Sequence, residues 1–426
     1  MTLFFYSCLM WALSPLLWLK LHLRARREPM YGQAISERFG YYSQSAPSGA
    51  LWIHAVSLGE TRAIRSMVEA LRLAYPHVRL LLTHGTATGR SEGVNLLREG
   101  DMQAWLPWDT PTAVERFLRH FQPCMGVLID TEVWPNLTAV AQQQGVPLVL
   151  ANARLSERSW HKAQRWSLLA KPAFSRLSAV WAQTEEDAKR LHSLGAPVGT
   201  VMGNLKFDAV PDPQLLALGL AWRNALNLRP VVLLAISREG EEAMFLQALQ
   251  QHPEYLQQAL WWIVPRHPQR FDEVAALIQS LGFAFERRSQ WPSDVAHMAV
   301  PQQAGLVLGD SLGEMPLYYG VASVALLGGS FAPLGGQNLI EACACNCPVV
   351  MGPHTFNFKQ AAEWAIKAQA AVRCTDLADA MAKAHAIVLD RKRQYGMSQA
   401  ARQFASSHQG AAAHCVKALA AWLDKP

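Results

Sequence analysis

Residues 321–341, VASVALLGGSFAPLGGQNLIE, decide the fold. Val321 to Leu327 reads as a buried strand, ended by Gly328-Gly329-Ser330. A loop follows, and Gly335-Gly336 is then read as opening a helix that carries Asn338, Leu339, Ile340 and Glu341. Glycines let the backbone approach a ligand closely, and a helix N-terminus offers N–H groups to a phosphate. Glu341, about one turn in, is placed to accept hydrogen bonds from a ribose diol. The plainer reading of the same residues is an ordinary strand-turn-helix in a parallel sheet.

Working outward, the same rhythm recurs on both sides. In the first half, strands are expected at Leu51–Ala55, Val78–Thr83, Ala104–Pro107, Gly126–Ile129, Pro147–Leu150, Ala179–Ala182 and Thr200–Met202, with a helix over Glu60–Ala74. The second half restarts at Val231–Ala235. It continues with Trp261–Val264, Leu306–Leu308, the Val321 strand and Pro348–Val350. Strands alternating with helical patterns indicate α/β architecture with mainly parallel sheets. Asp208 to Pro230 breaks the rhythm with prolines and reads as a linker. The expected organisation is an N-terminal membrane segment (1–23), a Rossmann-like domain (24–207), a linker (208–230) and a second Rossmann-like domain (231–426). The last helix is able to pack back on the first domain. Two doubly wound domains facing a cleft would present their strands' C-terminal ends to it.

Composition agrees with an enzyme that meets an anionic partner. The chain has 426 residues, 50% hydrophobic and 17% charged, with net charge +6 and pI near 9.0. That excess suits membrane lipid or a phosphorylated substrate. Nucleic acid is disfavoured, because no Lys/Arg run is interleaved with aromatics and no zinc or helix-turn-helix signature appears. The seven cysteines lack the spacing of a disulfide framework. Cys343, Cys345 and Cys347 point to different helix faces and read as small buried residues, not metal ligands.

Leu3 to Leu19 is apolar except for Ser7 and Ser14, and Lys20, Arg24, Arg26 and Arg27 follow. This reads as a single membrane anchor with the remaining chain on the cytoplasmic side. A cleaved signal is disfavoured because the charges follow the apolar run. A helix lying in the membrane interface is the other reading, since Pro15 could bend it.

Candidate chemistry clusters at expected strand ends. In His54-Ala55-Val56-Ser57-Leu58-Gly59-Glu60, Glu60 falls in the first turn of a helix, where N–H groups would favour its ionised form, as a general base requires. It could equally be a good first-turn residue and no more. Asp130 and Glu132 follow another strand and could orient an acceptor hydroxyl, or cap a helix. Lys206, in Gly203-Asn204-Leu205-Lys206, could reach a phosphate or carboxylate. Ser237 and Arg238 suit a turn that cradles phosphate. Arg266 and His267 stand on a proline-stiffened loop, and Gly309-Asp310-Ser311-Leu312-Gly313-Glu314-Met315 occupies the same topological position.

Singly weak, these motifs are specific in their order. HAVSLGE, DTEVWPN, ANARLSERS, GNLKFD, EGEE, PRHPQRF, GDSLGEM, GGQNLIEA and MGPHTFNF together resemble the 3-deoxy-D-manno-octulosonic acid (Kdo) transferases of Gram-negative bacteria. The resemblance extends from the N-terminal segment to the C-terminal region. It implies a GT-B-like glycosyltransferase without metal or cofactor. Such an enzyme moves Kdo from CMP-Kdo to a lipid A precursor at the cytoplasmic face of the inner membrane.

By matched position it implies that Glu60 is the catalytic base and that Asp130 and Lys206 stabilise the transition state. Arg266 and His267, Leu312, Gly313 and Glu314, and Asn338 to Glu341 would contact CMP, alongside Ser237, Arg238, Gly335 and Gly336. The chain departs from the family pattern at four places. Asp130 stands where glutamate is usual, Arg238 and Gln337 where histidine is usual, and Leu312 where methionine is usual. A GT-B transferase with a UDP-sugar donor and a lipid-linked acceptor is the alternative, and a non-catalytic sugar-nucleotide binder a more distant one.

Overall fold

The computed structural model describes residues 2–226, 229–291 and 305–424. The chain divides into two compact units, Met1–Ala209 with Gln409–Pro426, and Val210–His408.

The first unit is built on a seven-stranded parallel sheet. Its strands are β1 (Leu51–His54), β2 (Leu80–His84), β3 (Met102–Trp105), β4 (Met125–Ile129), β5 (Leu148–Ala153), β6 (Ala179–Ala182) and β7 (Val198–Val201), in the order β3-β2-β1-β4-β5-β6-β7. The five residues of β4 are all buried, as are the six of β5. Helices cover both faces, so these strands read as continuous apolar runs. The order reverses between β1 and β4, and ligands of such sheets bind at the C-terminal strand ends beside that reversal.

The second unit repeats the architecture. Its strands are β8 (Val231–Ser237), β9 (Leu260–Pro265), β10 (Phe285–Arg287), β11 (Leu306–Leu308), β12 (Val324–Leu327), β13 (Val349–Met351) and β14 (Ala371–Arg373). The order is β10-β11-β9-β8-β12-β13-β14, all parallel, with the reversal between β8 and β12. The chain is thus an α/β protein of GT-B-like architecture.

Several boundaries differ from the sequence reading. The strand expected from Val321 begins at Val324, because Met315–Val321 is a helix with a proline in its first turn. An apolar run reports burial but not period, so the two elements merged. Gly335 and Gly336 do not open the next helix. Both have positive φ, at 90° and 75°, and the helix starts at Leu339 with Asn338 as its cap. The Asn338 side chain accepts a hydrogen bond from the Ile340 N–H, so the cap takes one of the donors expected to meet phosphate. The edge strands β10 and β14 were not expected, being three residues each and only partly buried.

The proline-rich stretch 208–230 contains a helix, Pro213–Ala225, that packs on Met315–Val321 of the second unit. At the other end of the chain, helix Ala411–Leu423 joins the first unit's core against Arg65–Ala74. Asp208 fixes it there by accepting from the Gly410 and Ala412 N–H groups.

Helix Leu3–Ala25 runs beyond the apolar stretch read from sequence and is long and apolar enough to cross a membrane. One stripe, through Tyr6, Ser7, Met10, Leu13, Ser14, Leu17 and Leu21, is at least partly covered by the first unit. The spacing is that of one helix face. Phe4, Phe5, Leu9, Trp11, Leu16, Trp18, Leu19 and Leu23 are exposed.

Candidate active site

Each unit assembles its chemistry at the reversal in its own sheet. In the first, β1 runs into a loop and the short helix Leu58–Ala63. Ser57 caps that helix, accepting from the Glu60 N–H while donating to Glu60 Oε1 at 2.8 Å. Glu60 Oε2 accepts from the Val56 N–H at 2.7 Å. This is a variant of the capping box in which the carboxylate reaches the N–H one residue before the cap, so the plain helix-start reading of Glu60 holds. It does not exhaust the residue, because burial comes first and the Asp130 carboxylate second in lifting the Glu60 pKa to about 7. The expectation that N–H groups would keep this carboxylate readily ionised is therefore corrected. Both hydrogen bonds favour the ion, but desolvation and a like charge outweigh them.

Asp130 follows β4 and takes a positive φ of 63°, unusual for a residue with a side chain. Its carboxylate accepts from Asn152 Nδ2 at 2.6 Å. Burial raises its pKa, and the nearby Lys206 and Arg154 cations act against that rise. Glu132 is raised as well, mainly by burial, and accepts from the Trp134 indole. The alternative that these carboxylates cap a helix is not taken up. Helix Pro135–Gln143 is capped by Asp109, which accepts from the Asn136 and Leu137 N–H groups.

Asn152 is the residue that sequence reasoning passed over. It sits at the end of β5 with φ 53°. Besides holding Asp130, its Oδ1 accepts from the Leu205 N–H at 3.0 Å. Asn204 Oδ1 then accepts from the Lys206 N–H. One amide thus ties the Asp130 turn to the Lys206 turn. The signal was an asparagine in an otherwise apolar strand, within ANARLSERS, to which no role was attached.

In the second unit, Arg238 follows β8, and Arg266 and His267 follow β9. Burial and the neighbouring Arg238 and Arg266 lower the His267 pKa, which places the three groups together. Arg238 Nε also pairs with Glu239 at 3.1 Å. Ser237 is fully buried and donates to Glu242, whose carboxylate also holds Arg270 at 2.8 Å. Ser237 therefore serves the interior rather than an open cradle.

Glu241 accepts from the N–H groups of Arg238, Gly329 and Phe331. It fastens the glycine turn after β12 to the turn after β8. Only glycine fits at 328, since a Cβ there would stand 2.3 Å from the Ile236 carbonyl oxygen. Gly335 likewise backs onto Asn357, 2.4 Å from where a Cβ would lie.

Leu312 is 70% exposed and Gly313 has φ 80°. Glu314 pairs with Arg288 at 2.8 Å, and Asp310 with Arg287 at 2.6 Å. Asn338 Nδ2 donates to Glu341 at 3.0 Å. Leu339 and Ile340 are buried, so any ligand contact of theirs would be through the backbone. Among the described residues no group of three or more His, Cys, Asp or Glu side chains is arranged to hold a metal ion.

A family profile described as 3-deoxy-D-manno-octulosonic-acid transferase matches residues 33–209. The chain is 46% identical over 432 residues to a 3-deoxy-D-manno-octulosonic acid transferase of Bordetella pertussis, covering 98% of this chain and 99% of that one. It is 31% identical to the Haemophilus influenzae protein of the same description, with 99% of each chain covered. Among solved structures, the S. aureus MnaA-UDP co-structure aligns with a TM-score of 0.57 and 13% identity, covering 88% of this chain and 97% of that one, a likeness of fold alone.

Proposed function

The chain belongs to the 3-deoxy-D-manno-octulosonic acid (Kdo) transferase family, and from that premise we propose that its donor is CMP-Kdo and its acceptor the 6-hydroxyl of the glucosamine disaccharide of a lipid A precursor, lipid IVA. The observation that carries the mechanism is Glu60, a half-buried carboxylate raised to about 7 and held beside Asp130. A base whose pKa lies near the working pH combines a useful ionised fraction with real proton affinity.

Glu60 takes the hydroxyl proton, and the oxygen attacks the anomeric carbon of Kdo as CMP leaves from the opposite face. Configuration inverts. Asp130 offsets positive charge developing on the sugar ring, and Lys206 favours the ionised form of Asp130. The first unit supplies these groups and the acceptor site.

The second unit holds the donor. Arg238, Arg266 and His267 offer donors to the phosphate and to the Kdo carboxylate, with Leu312, Gly313, Glu314 and Asn338 to Glu341 framing the nucleotide. These cations supply the electrostatic clamp, so transfer is proposed to need no divalent metal. Helix Leu3–Ala25 anchors the protein at the inner membrane, and the basic flank Lys20, Arg24, Arg26 and Arg27 adds attraction to the anionic lipid of the cytoplasmic leaflet.

The test is direct. Purified protein is incubated with CMP-Kdo, or with a UDP-sugar, and a tetraacylated glucosamine disaccharide bisphosphate. Mass spectrometry should show Kdo addition from CMP-Kdo alone, unchanged by EDTA, and NMR of the product should show inversion. Transfer from the UDP-sugar, or activity that EDTA abolishes and Mg²⁺ restores, would overturn the reading.

A further inference from the structure

A helix that stands across a bilayer does so apart from water-soluble domains. Leu3–Ala25 does not stand apart. Its covered stripe lies along the first unit from Tyr6 to Leu21, and Ser7 Oγ donates to Asn136 of helix Pro135–Gln143 at 2.7 Å. Were this helix to cross the membrane, the elements it packs on would have to enter with it. The arrangement suits a helix lying in one leaflet, with Phe4, Phe5, Leu9, Trp11, Leu16 and Trp18 facing the lipid.

Between helix and unit lies a cavity of about 340 Å³. That is within the range of roughly 300–1,000 Å³ usual for small-ligand sites. Met10, Leu13 and Leu17 form its helix wall, and Leu106, Val114 and Leu137 belong to the opposite wall. The lining continues to Val56, whose N–H holds Glu60, and to Glu132. It therefore leads from lipid-facing helix to catalytic carboxylates.

Most of its polar groups are already partnered. Arg38 donates to the carbonyls of Leu106 and Gly85, and Asp109 caps a helix. The exception is His54, 1% exposed, whose Nε2 has no partner. Its Nδ1 lies 3.1 Å from the Thr83 carbonyl and 2.9 Å from the Thr83 hydroxyl, and in the tautomer that donates from Nδ1 to the carbonyl, Nε2 is an acceptor.

We propose that this cavity takes one acyl chain of the lipid-linked acceptor, drawn from the leaflet beside the helix, with a hydroxyl or amide N–H near the chain's head donating to His54 Nε2. The proposal rests on the acceptor reading given above and adds where that acceptor's lipid part is held. Seating one chain fixes the headgroup at Glu60, so acyl chains become part of acceptor recognition rather than passive anchors.

The probe is a tetraacylated disaccharide bisphosphate with a diazirine at mid-chain, in phosphatidylethanolamine and phosphatidylglycerol vesicles. Irradiation of the full-length protein should label peptides containing Leu13 or Leu17 together with peptides containing Leu106 or Leu137. Leu13→Trp, and separately Leu17→Trp, fill the cavity. Each should reduce that labelling at least tenfold and raise KM for the acylated acceptor about tenfold, while KM for the deacylated disaccharide is unchanged. Labels confined to the exposed face of the helix, or undiminished in both variants, would overturn the proposal. Because labelling needs no turnover, cavity labels without Kdo transfer would defeat the acceptor reaction and leave the site standing. Transfer without cavity labels would do the reverse.

Discussion

The two units use one sheet design and arrive at opposite electrostatics. Each has seven parallel strands with a reversal of order, and each sets a non-glycine residue with positive φ at the reversal, Asp130 at 63° and Ile236 at 56°. In the first unit Glu60, Asp130 and Glu132 cluster, and burial pushes all three pKa values upward. In the second, Glu241, Glu242, Asp310 and Glu314 are each engaged by backbone N–H groups or arginines. Arg238, Arg266 and His267 are brought together there. The fold fixes where a site lies. On the function proposed above, the clustered carboxylates of the first unit suit proton transfer and the clustered cations of the second suit an anion.

The sharpest way to break this contrast is to remove a carboxylate described as architectural. Glu242→Ala should leave the buried Arg270 with only the solvent-exposed Glu273 as partner, and cost about 3 kcal/mol of stability. The second unit should melt earlier in calorimetry, at every pH where the protein folds. If Glu242→Ala melts normally but loses CMP binding, the residue belongs to the donor site and the contrast fails.

Glu60→Gln tests the other side. Transfer at pH 8 should fall about 10²-fold or more, equivalent to roughly 2.7 kcal/mol of barrier. CMP binding by calorimetry should be unchanged, because the nucleotide groups belong to the other unit. Near-normal turnover would reduce Glu60 to a capping residue.

Arg266→Ala should weaken CMP binding by roughly 10–100-fold, the loss of charge-assisted hydrogen bonds, with little change in melting temperature. A stability loss without an affinity loss would show that this arginine, too, is architectural.

The smallest effect concerns pH. Glu60 must be ionised to accept a proton, so kcat/KM should fall tenfold per unit below pH about 7. Asp130→Asn removes the second cause of that raised value, so the acid limb should move to lower pH even as turnover drops. A limb that stays in place would mean that Asp130 has no part in raising the Glu60 pKa.

The sequence alone determined the α/β class, the interior strands and the family. Each rests on local signals, since buried strands are apolar runs and motifs occupy fixed places after them. Edge strands β10 and β14 escaped because three residues, most of them half-buried, carry no pattern. The Val321 boundary escaped because helix and strand can both be wholly buried. Glu60, Asp130, Lys206, Arg266 and His267 were legible as residues at strand ends.

Only the tertiary structure decided what those residues experience. Asn152 is 22 residues from Asp130 and 53 from Leu205, and no local pattern couples them. Glu241 reads as a first-turn glutamate, yet it binds Gly329, 88 residues away. The Glu60 pKa depends on burial and on Asp130, both products of packing. The apolar N-terminal run declared itself in sequence, but its docked stripe appears only once the first unit supplies a surface to cover it. Hydrophobic period and turn chemistry are properties of neighbours along the chain. Charge pairing, desolvation and shared cavities are properties of neighbours in space, and the folded structure alone sets these.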